Sequence, residues 1–72
     1  TSGEVIAVDE ALAKLEKENP AAAEVVKLRY FAGLSVDETA SVLETSPSTV
    51  DRTWRMSRAW LRVEIGKVMP DL

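Results

Sequence analysis

The chain has 72 residues, no cysteine, no histidine and a formal net charge of -3. This length holds one small core and excludes a second domain, and without cysteine no disulfide or thiolate metal site can reinforce that core. No apolar run approaches the roughly 20 residues that cross a bilayer. We therefore expect a soluble, cytoplasmic domain of packed helices that has no membrane partner, no cofactor and no metal.

The charges are distributed unevenly along the chain. Residues 1–45 carry nine acidic and four basic side chains, whereas residues 46–62 carry four arginines and a single acid, Asp51. The overall charge argues against nucleic-acid binding, which usually goes with a basic domain. The local charge of the second segment has the opposite sign, so the sequence favours residues 46–62 as a nucleic-acid contact.

The first eight residues are predicted to be a linker. They include Gly3 and show no strong periodicity, so we expect Asp9 to cap the first helix and the folded domain to cover residues 9–72. The chain begins at Thr1 without an initiator methionine, which leads us to expect a piece of a longer protein or a processed product.

Two helices are predicted in the first half of the domain. Asn19 and Pro20 end the first helix and begin the second, because proline fits the first helical position. The second helix is expected to reach about Phe31, with Tyr30 or Phe31 buried, and Gly33 supplies a left-handed cap. The apolar positions that recur at helical spacing in the first helix are Val8, Leu12 and Leu15.

Two further helices, separated by a short turn, are predicted in the second half. Ser35 and Glu38 have the spacing of a capping box, which places a third helix at about residues 35–44. Ser46 and Pro47 repeat a cap followed by proline and begin a long fourth helix over about residues 46–65. The fold predicted is therefore all-α, a small four-helix domain with a C-terminal helix-turn-helix and a long recognition helix. The inward stripe of the fourth helix is predicted to be Val50, Trp54, Ser57, Leu61, Ile65 and Val68.

A short helix, a tight turn and a longer helix rich in arginine form the layout of a DNA-binding helix-turn-helix. If the apolar stripe faces inward, Arg52 points outward near the start of the fourth helix, where side chains reach base edges. Arg55 lies one turn further on and is predicted to read a base or to bind a phosphate. Asp51 is expected to pair with Arg55 four residues later. Arg58 and Arg62 lie too far along a straight helix for either contact.

Other interpretations compete with DNA binding. A row of arginines standing alone is as often a solvated helix face as a DNA contact. Here the capped helix and the turn before the arginines favour DNA binding. Met56, Trp60 and Val63 form a second apolar strip that either packs on the first helix or serves as a partner surface. A protein-interaction module of the same fold that does not read DNA is therefore an alternative. An enzyme is not indicated, and no catalytic residue is predicted, because the sequence has no histidine, cysteine or glycine-rich phosphate loop.

The segment from Leu28 to Arg62, LRYFAGLSVDETASVLETSPSTVDRTWRMSRAWLR, resembles region 4 of bacterial sigma factors of the extracytoplasmic-function (ECF) type. Its most distinctive part is TVDRTWRMSRAWLR, and the preceding DEALAKLEKENPAAAEVV is similar to the lead-in of that family. The resemblance implies a monomer that binds the promoter minus-35 element and the flap of the β subunit of RNA polymerase. It also implies a possible anti-sigma protein as a regulator. A response-regulator output domain has a similar helix-turn-helix opening, but such domains usually dimerise.

The resemblance also implies roles for individual residues. This chain differs from the family pattern at Glu44, in the turn between the third and fourth helices, where the family usually has glycine. We therefore expect either a left-handed Glu44 or a rebuilt turn. The residues implied to contact bases are Ser48, Thr49, Arg52 and Arg55. Those implied to contact the DNA backbone are Arg29, Ser35 and Ser46.

Overall fold

The structure is a computed structural model that describes residues 2–68, with side chains described for residues 6–67. Helices and turns account for all the secondary structure within this range, so the predicted all-α, four-helix architecture is confirmed. The last helix has 22 residues, which corresponds to about 33 Å of helix. The domain measures 35 × 21 × 19 Å, so this helix runs along its full length. The elements are α1 (Ser2–Glu18), α2 (Pro20–Val26), a π-helical turn (Lys27–Phe31), α3 (Val36–Leu43) and α4 (Pro47–Val68).

Helix α1 begins at Ser2, eight residues before the start predicted from a cap at Asp9. Residues 2–8 are helical, so their prediction as a linker is wrong, and Asp9 lies inside the helix instead of capping it. The reason is that Ala7, only 2% exposed, continues the buried face one turn before Ala11. A small side chain at that position gives a weak apolar signal, although it allows the helices to approach closely. Residues 69–72 of the predicted domain lie outside the described residues.

The junction of α1 and α2 is built as the sequence predicts. The Asn19 side chain accepts a hydrogen bond from the Ala22 amide at 3.2 Å, and Pro20 is the first residue of α2. On the surface, the Lys27 ammonium group lies 2.6 Å from the Glu16 carboxylate and ties the start of the π-helical turn to α1. The buried cluster that joins the two helices consists of Leu12, Leu15, Ala22, Ala23 and Val26.

A π-helical turn extends α2 and changes which side chains it buries. The Ala32 amide donates to the Lys27 carbonyl at 3.1 Å, five residues back instead of four. The extra residue rotates the following side chains away from the buried face, so Tyr30 and Phe31 are 64% and 56% exposed. The prediction that one of them is buried is therefore wrong. Gly33 has a φ of 70° and ends the segment, which confirms the predicted left-handed cap.

The capping box predicted for α3 is present. The Ser35 hydroxyl accepts from the Glu38 amide at 3.0 Å, and the Glu38 carboxylate accepts from the Ser35 amide at 2.9 Å. The pKa of Glu38 is lowered mainly by the bond from the Ser35 amide to its carboxylate and, to a smaller extent, by a bond from the Ser35 hydroxyl. The charged Glu38 carboxylate therefore stabilises the folded state. This stabilisation is fully present at pH values above the ordinary pKa of a glutamate and is lost as the pH falls through the lowered pKa of Glu38.

Helix α4 packs against helices from both halves of the chain. Val50, fully buried, packs with Val25 of α2 and Ala40 of α3. Trp54 contacts this second cluster as well as the cluster that joins α1 and α2. The side chains of α4 therefore have a defined orientation relative to the rest of the domain.

The turn between α3 and α4 contains a strained residue. Glu44 has φ 55° and ψ 47°, the left-handed conformation, and it is not a glycine, as the departure from the family pattern anticipated. The Thr45 amide donates to the Ala40 carbonyl at 3.0 Å and the Glu44 amide to the Ser41 carbonyl at 3.3 Å. These two bonds form a Schellman motif, which satisfies the last carbonyls of α3 but requires a positive φ at its centre.

Replacing Glu44 with glycine is expected to stabilise the domain by about 1 kcal/mol, because glycine adopts the left-handed conformation without the steric cost of a β-carbon. The free energy of unfolding, measured by urea denaturation, checks this expectation. The control is Glu10→Gly, the same change at an exposed position in the right-handed backbone of α1, where glycine is expected to destabilise by roughly 0.5–1 kcal/mol. Destabilisation by both variants would contradict the assignment of strain to Glu44.

Candidate nucleic-acid interface

The start of α4 is closed by Ser46. Its hydroxyl oxygen accepts a hydrogen bond from the Thr49 amide at 3.2 Å, and the hydroxyls of Ser46 and Thr49 lie 2.8 Å apart. Pro47 follows as the first helical residue, so the predicted cap is confirmed. The remaining amides of this first turn point away from the helix along its axis, where the helix dipole favours a negative group.

The buried residues of α4 determine which of its side chains face outward. Val50 is 0% exposed and Ser57 is 3% exposed, so one side of the helix is anchored in the core over two turns. The opposite side presents Ser48, Arg52 and Arg55, all exposed. The helix is continuous through this region, and its diameter of about 10–12 Å matches a major groove about 12 Å wide.

Arg52 and Arg55 differ in their surroundings. Arg52 makes no hydrogen bond or ion pair with any side chain described in residues 6–67. The Arg55 guanidinium lies 3.1 Å from the Asp51 carboxylate, which is the predicted pair four residues apart. An exposed pair of this kind contributes only about 0.3–0.5 kcal/mol. A base contact is worth about 1–3 kcal/mol, so the pair with Asp51 is too weak to exclude the predicted contact of Arg55 with DNA.

Three of the four hydroxyl groups implied as DNA contacts already make internal hydrogen bonds. Ser35 and Ser46 cap α3 and α4, and Thr49 is half-buried with its hydroxyl against Ser46. Thr49 also lines a small cavity that faces Ala21 and Glu24 of α2. The structure therefore groups Ser48, Arg52 and Arg55 on the exposed side of α4 and turns Thr49 partly away from them.

Arg29 connects three elements of the domain. Its guanidinium donates to the Leu34 carbonyl at 2.6 Å, immediately before the capping box of α3, and lies 5.2 Å from the ring centroid of Trp54. Arg58 approaches the same ring at 5.7 Å. Both distances are in the range of cation–π attraction. Arg29 therefore positions the start of α3 against α4, and its contact with the DNA backbone stays a prediction.

The predicted strip of Met56, Trp60 and Val63 is divided by the fold. Trp60 is half-buried and packs against the cluster formed by α1 and α2, which favours the first of the two interpretations left open for it. Met56 and Val63 are 64% and 60% exposed. The three side chains therefore do not form one continuous exposed surface.

A second surface is an apolar groove of about 380 Å³ between α1, the π-helical turn and the far half of α4. The resemblance implies a polymerase-binding surface on the first two helices and the far part of the last, but the aromatic residues of this groove were not predicted. Tyr30 and Phe31 line it with their rings edge to face, 5.1 Å between centroids. Arg58 and Arg62 supply its charged side chains. Two consecutive aromatic residues were the available signal in the sequence, but only the π-helical turn places both of them on this side. The other lining residues are Val8, Leu12, Val26, Trp54, Leu61, Ile65 and Gly66.

The far end of α4 is tied to α1 by charged side chains. Lys14 of α1 lies 3.3 Å from the carboxylate of Glu64, and Lys67 lies 3.2 Å from it. The hydrogen bond from Lys67, with a smaller contribution from Lys14, lowers the pKa of Glu64 despite partial burial. These contacts hold α1 and the far half of α4 together beside the groove.

The architecture and the exposed arginines of α4 define a small helix-turn-helix protein of the class that binds nucleic acid. The ECF sigma factor family model matches residues 1–67, so the chain belongs to the ECF sigma factor family. The size of the chain and its helix-turn-helix are consistent with region 4 of such a factor. This membership confirms the resemblance and supports a role in transcription initiation, as a transcription regulator and not as a known class of enzyme.

No curated protein and no solved structure gave a significant match to the chain. Among residues 2–68, no helix combines the length and apolar character needed to cross a membrane.

Proposed function

We propose that this chain reads the minus-35 element of a promoter through the first turns of α4 and docks on the β-subunit flap of core RNA polymerase. The observation that supports this most directly is the burial of Val50 and Ser57. It leaves Ser48, Arg52 and Arg55 exposed together on one side of a continuous helix. This is the geometry with which a recognition helix reads base edges in the major groove.

Within this proposal, base reading and DNA positioning fall to different side chains. Arg52, exposed at the second turn of α4, contacts a guanine through two hydrogen bonds. Arg55 exchanges its weak pair with Asp51 for a base or a phosphate. The backbone contacts come from Arg29 and from the hydroxyls of Ser35 and Ser46, which accept amide bonds at the starts of α3 and α4 and donate to phosphate oxygens in place of acceptors within the protein. Ser48 and Thr49 complete the base-contacting group.

The groove lined by Tyr30 and Phe31 is the surface that we propose for polymerase. It lies beside the far half of α4, so a protein bound there leaves the first turns of the helix open to DNA. Exposed aromatic side chains around an apolar groove are typical of a protein-docking surface. An anti-sigma protein that covers this groove, or the exposed side of α4 that carries Arg52 and Arg55, would block the proposed function. The proposed role belongs to a monomer in the cytoplasm, where bacterial polymerase acts.

The DNA part of the proposal is tested by selecting bound duplexes from a randomised pool and measuring affinity across a salt series. We expect one preferred sequence, and an affinity that falls linearly on a double-logarithmic plot with a slope of about -0.9 for each phosphate neutralised. A scrambled duplex of the same length is the control. Equal affinity for both duplexes, or an affinity independent of salt, would refute sequence-specific DNA binding.

The polymerase part is tested by binding to an isolated β-flap fragment. Phe31→Ala is expected to weaken this binding about tenfold, since a buried aromatic anchor contributes roughly 1–2 kcal/mol. Val42→Ala is the control, because Val42 is exposed to the same degree (59% against 56%) but lies on α3 outside the groove. Equal effects of the two variants would argue against the groove. A stable dimer in sedimentation would instead favour the mode of a response-regulator output domain.

A further inference from the structure

Met56 is an apolar side chain on the same exposed side of α4 as Arg52. It is 64% exposed, although methionine is usually buried. It follows Arg52 by four residues, which on a helix places it about 6 Å further along and roughly 40° around the axis. Ser57, the next residue, is 3% exposed and fixes this orientation. Met56 therefore stands beside Arg52 and one turn deeper along the proposed recognition helix.

The basic side chains near Met56 are drawn to the other side of the helix. Arg55 is paired with Asp51 at 3.1 Å, and Arg58 lies over the Trp54 ring at 5.7 Å. Consecutive residues of a helix diverge by about 100°, so Arg55 and Met56 lie on opposite sides of the line through Arg52. One side of the proposed DNA-facing surface is thus positively charged and the other is apolar.

A major groove presents one apolar group to such a side chain, the C5 methyl of thymine. We propose that Met56 is a specificity-determining residue that contacts a thymine methyl next to the base read by Arg52. The inference rests on the proposed function, because it requires α4 to lie in a major groove. The unbranched thioether side chain adapts its shape to a neighbouring surface, which suits a contact with a methyl group.

The structure gives less support to a protein contact at Met56. Trp60, the aromatic that would anchor such a contact, packs against the core instead. Val63, the nearest large exposed apolar residue on the same face, lies seven residues on, which is about 10 Å along the helix. Met56 thus has no large exposed apolar neighbour on its own turn of α4.

The test compares thymine with deoxyuridine, which lacks only the C5 methyl. Each thymine of the duplex selected by the 72-residue chain is replaced in turn, and affinity is measured at low salt. For the unaltered protein, one replacement is expected to weaken binding about fourfold, the loss that corresponds to one buried methyl group. Met56→Ala is expected to bind both duplexes equally, whereas Met56→Leu retains the preference for thymine.

Val63→Ala is the matched control, since it removes an equally exposed apolar side chain from the same face of α4 and is expected to retain the preference for thymine. Thermal unfolding of each variant verifies that the fold is intact. A protein that binds its selected duplex without any dependence on a thymine methyl, or a Met56→Ala variant that keeps that dependence, would overturn the inference while leaving the proposed function standing. Failure to select any duplex would overturn both.

Discussion

Replacing Arg52 with alanine is expected to weaken binding to the selected duplex by about 5- to 150-fold, equivalent to the 1–3 kcal/mol of one bidentate contact with guanine. Arg52 is exposed and makes no ion pair or side-chain hydrogen bond within residues 6–67, so its removal leaves the packing of α4 intact. The loss therefore reports on DNA and not on folding. It is measured by titration of the labelled duplex at a fixed low salt concentration.

The comparison variant for Arg52 is Arg62→Ala. It removes the same charge from the same helix, ten residues further from the amino end. Because phosphate attraction depends on charge and base reading depends on position, Arg62→Ala should cost much less and should leave the order of preference among sequences unchanged. Arg52→Ala should relax the preference at one base pair. Equal losses in the two variants, with unchanged preference, would mean that α4 binds through charge alone.

Replacing Trp54 with alanine is expected to abolish the cooperative unfolding transition. Removal of a large packed aromatic costs about 3–5 kcal/mol, and a core in a domain of this size supplies roughly the same amount in total. Trp54 contacts both buried clusters and lies beside the guanidinium groups of Arg29 and Arg58. Its loss therefore weakens the attachment of α4 to all the other helices. Thermal denaturation followed by far-ultraviolet circular dichroism measures the effect.

Two further variants at and near Trp54 make this result interpretable. Trp54→Phe keeps an aromatic ring between the clusters and is expected to retain a transition at a lower temperature. Met56→Ala changes an exposed side chain two residues away. It is expected to change the free energy of unfolding by no more than about 0.5 kcal/mol and so to leave the transition nearly unchanged. A Trp54→Ala protein that unfolds cooperatively, close to the temperature of the unaltered chain, would show that either cluster can hold α4 without the indole.

Several features of the domain were predictable because they depend on residues close in sequence. The capping box of Ser35 and Glu38, and the hydroxyl cap of Ser46 on Thr49, each join residues three positions apart. The break at Pro20 depends on the missing amide of that residue. The inward face of α4 followed from the spacing of its apolar residues, which Val50 and Ser57 confirm.

Other features were mispredicted because their sequence signals are weak. The start of α1 was placed too late because the buried Ala7 adds little apolar signal. The π-helical turn inserts one residue into a helix with no residue type that announces it, and this moved Tyr30 and Phe31 from an expected core position to the surface. The groove that they line was invisible to periodicity for the same reason.

The sequence alone thus determined the presence of four helices, the first residues of α2, α3 and α4 with their caps, and the outward direction of Arg52, since caps and helical periodicity act over a few residues. Tertiary structure alone decided that Trp60 packs on the core, that Arg29 and Arg58 both lie over Trp54, and that Met56 stays exposed beside Arg52. Each of these outcomes depends on which surfaces of distant segments meet, and helical spacing within one segment carries no information about the segment that packs against it.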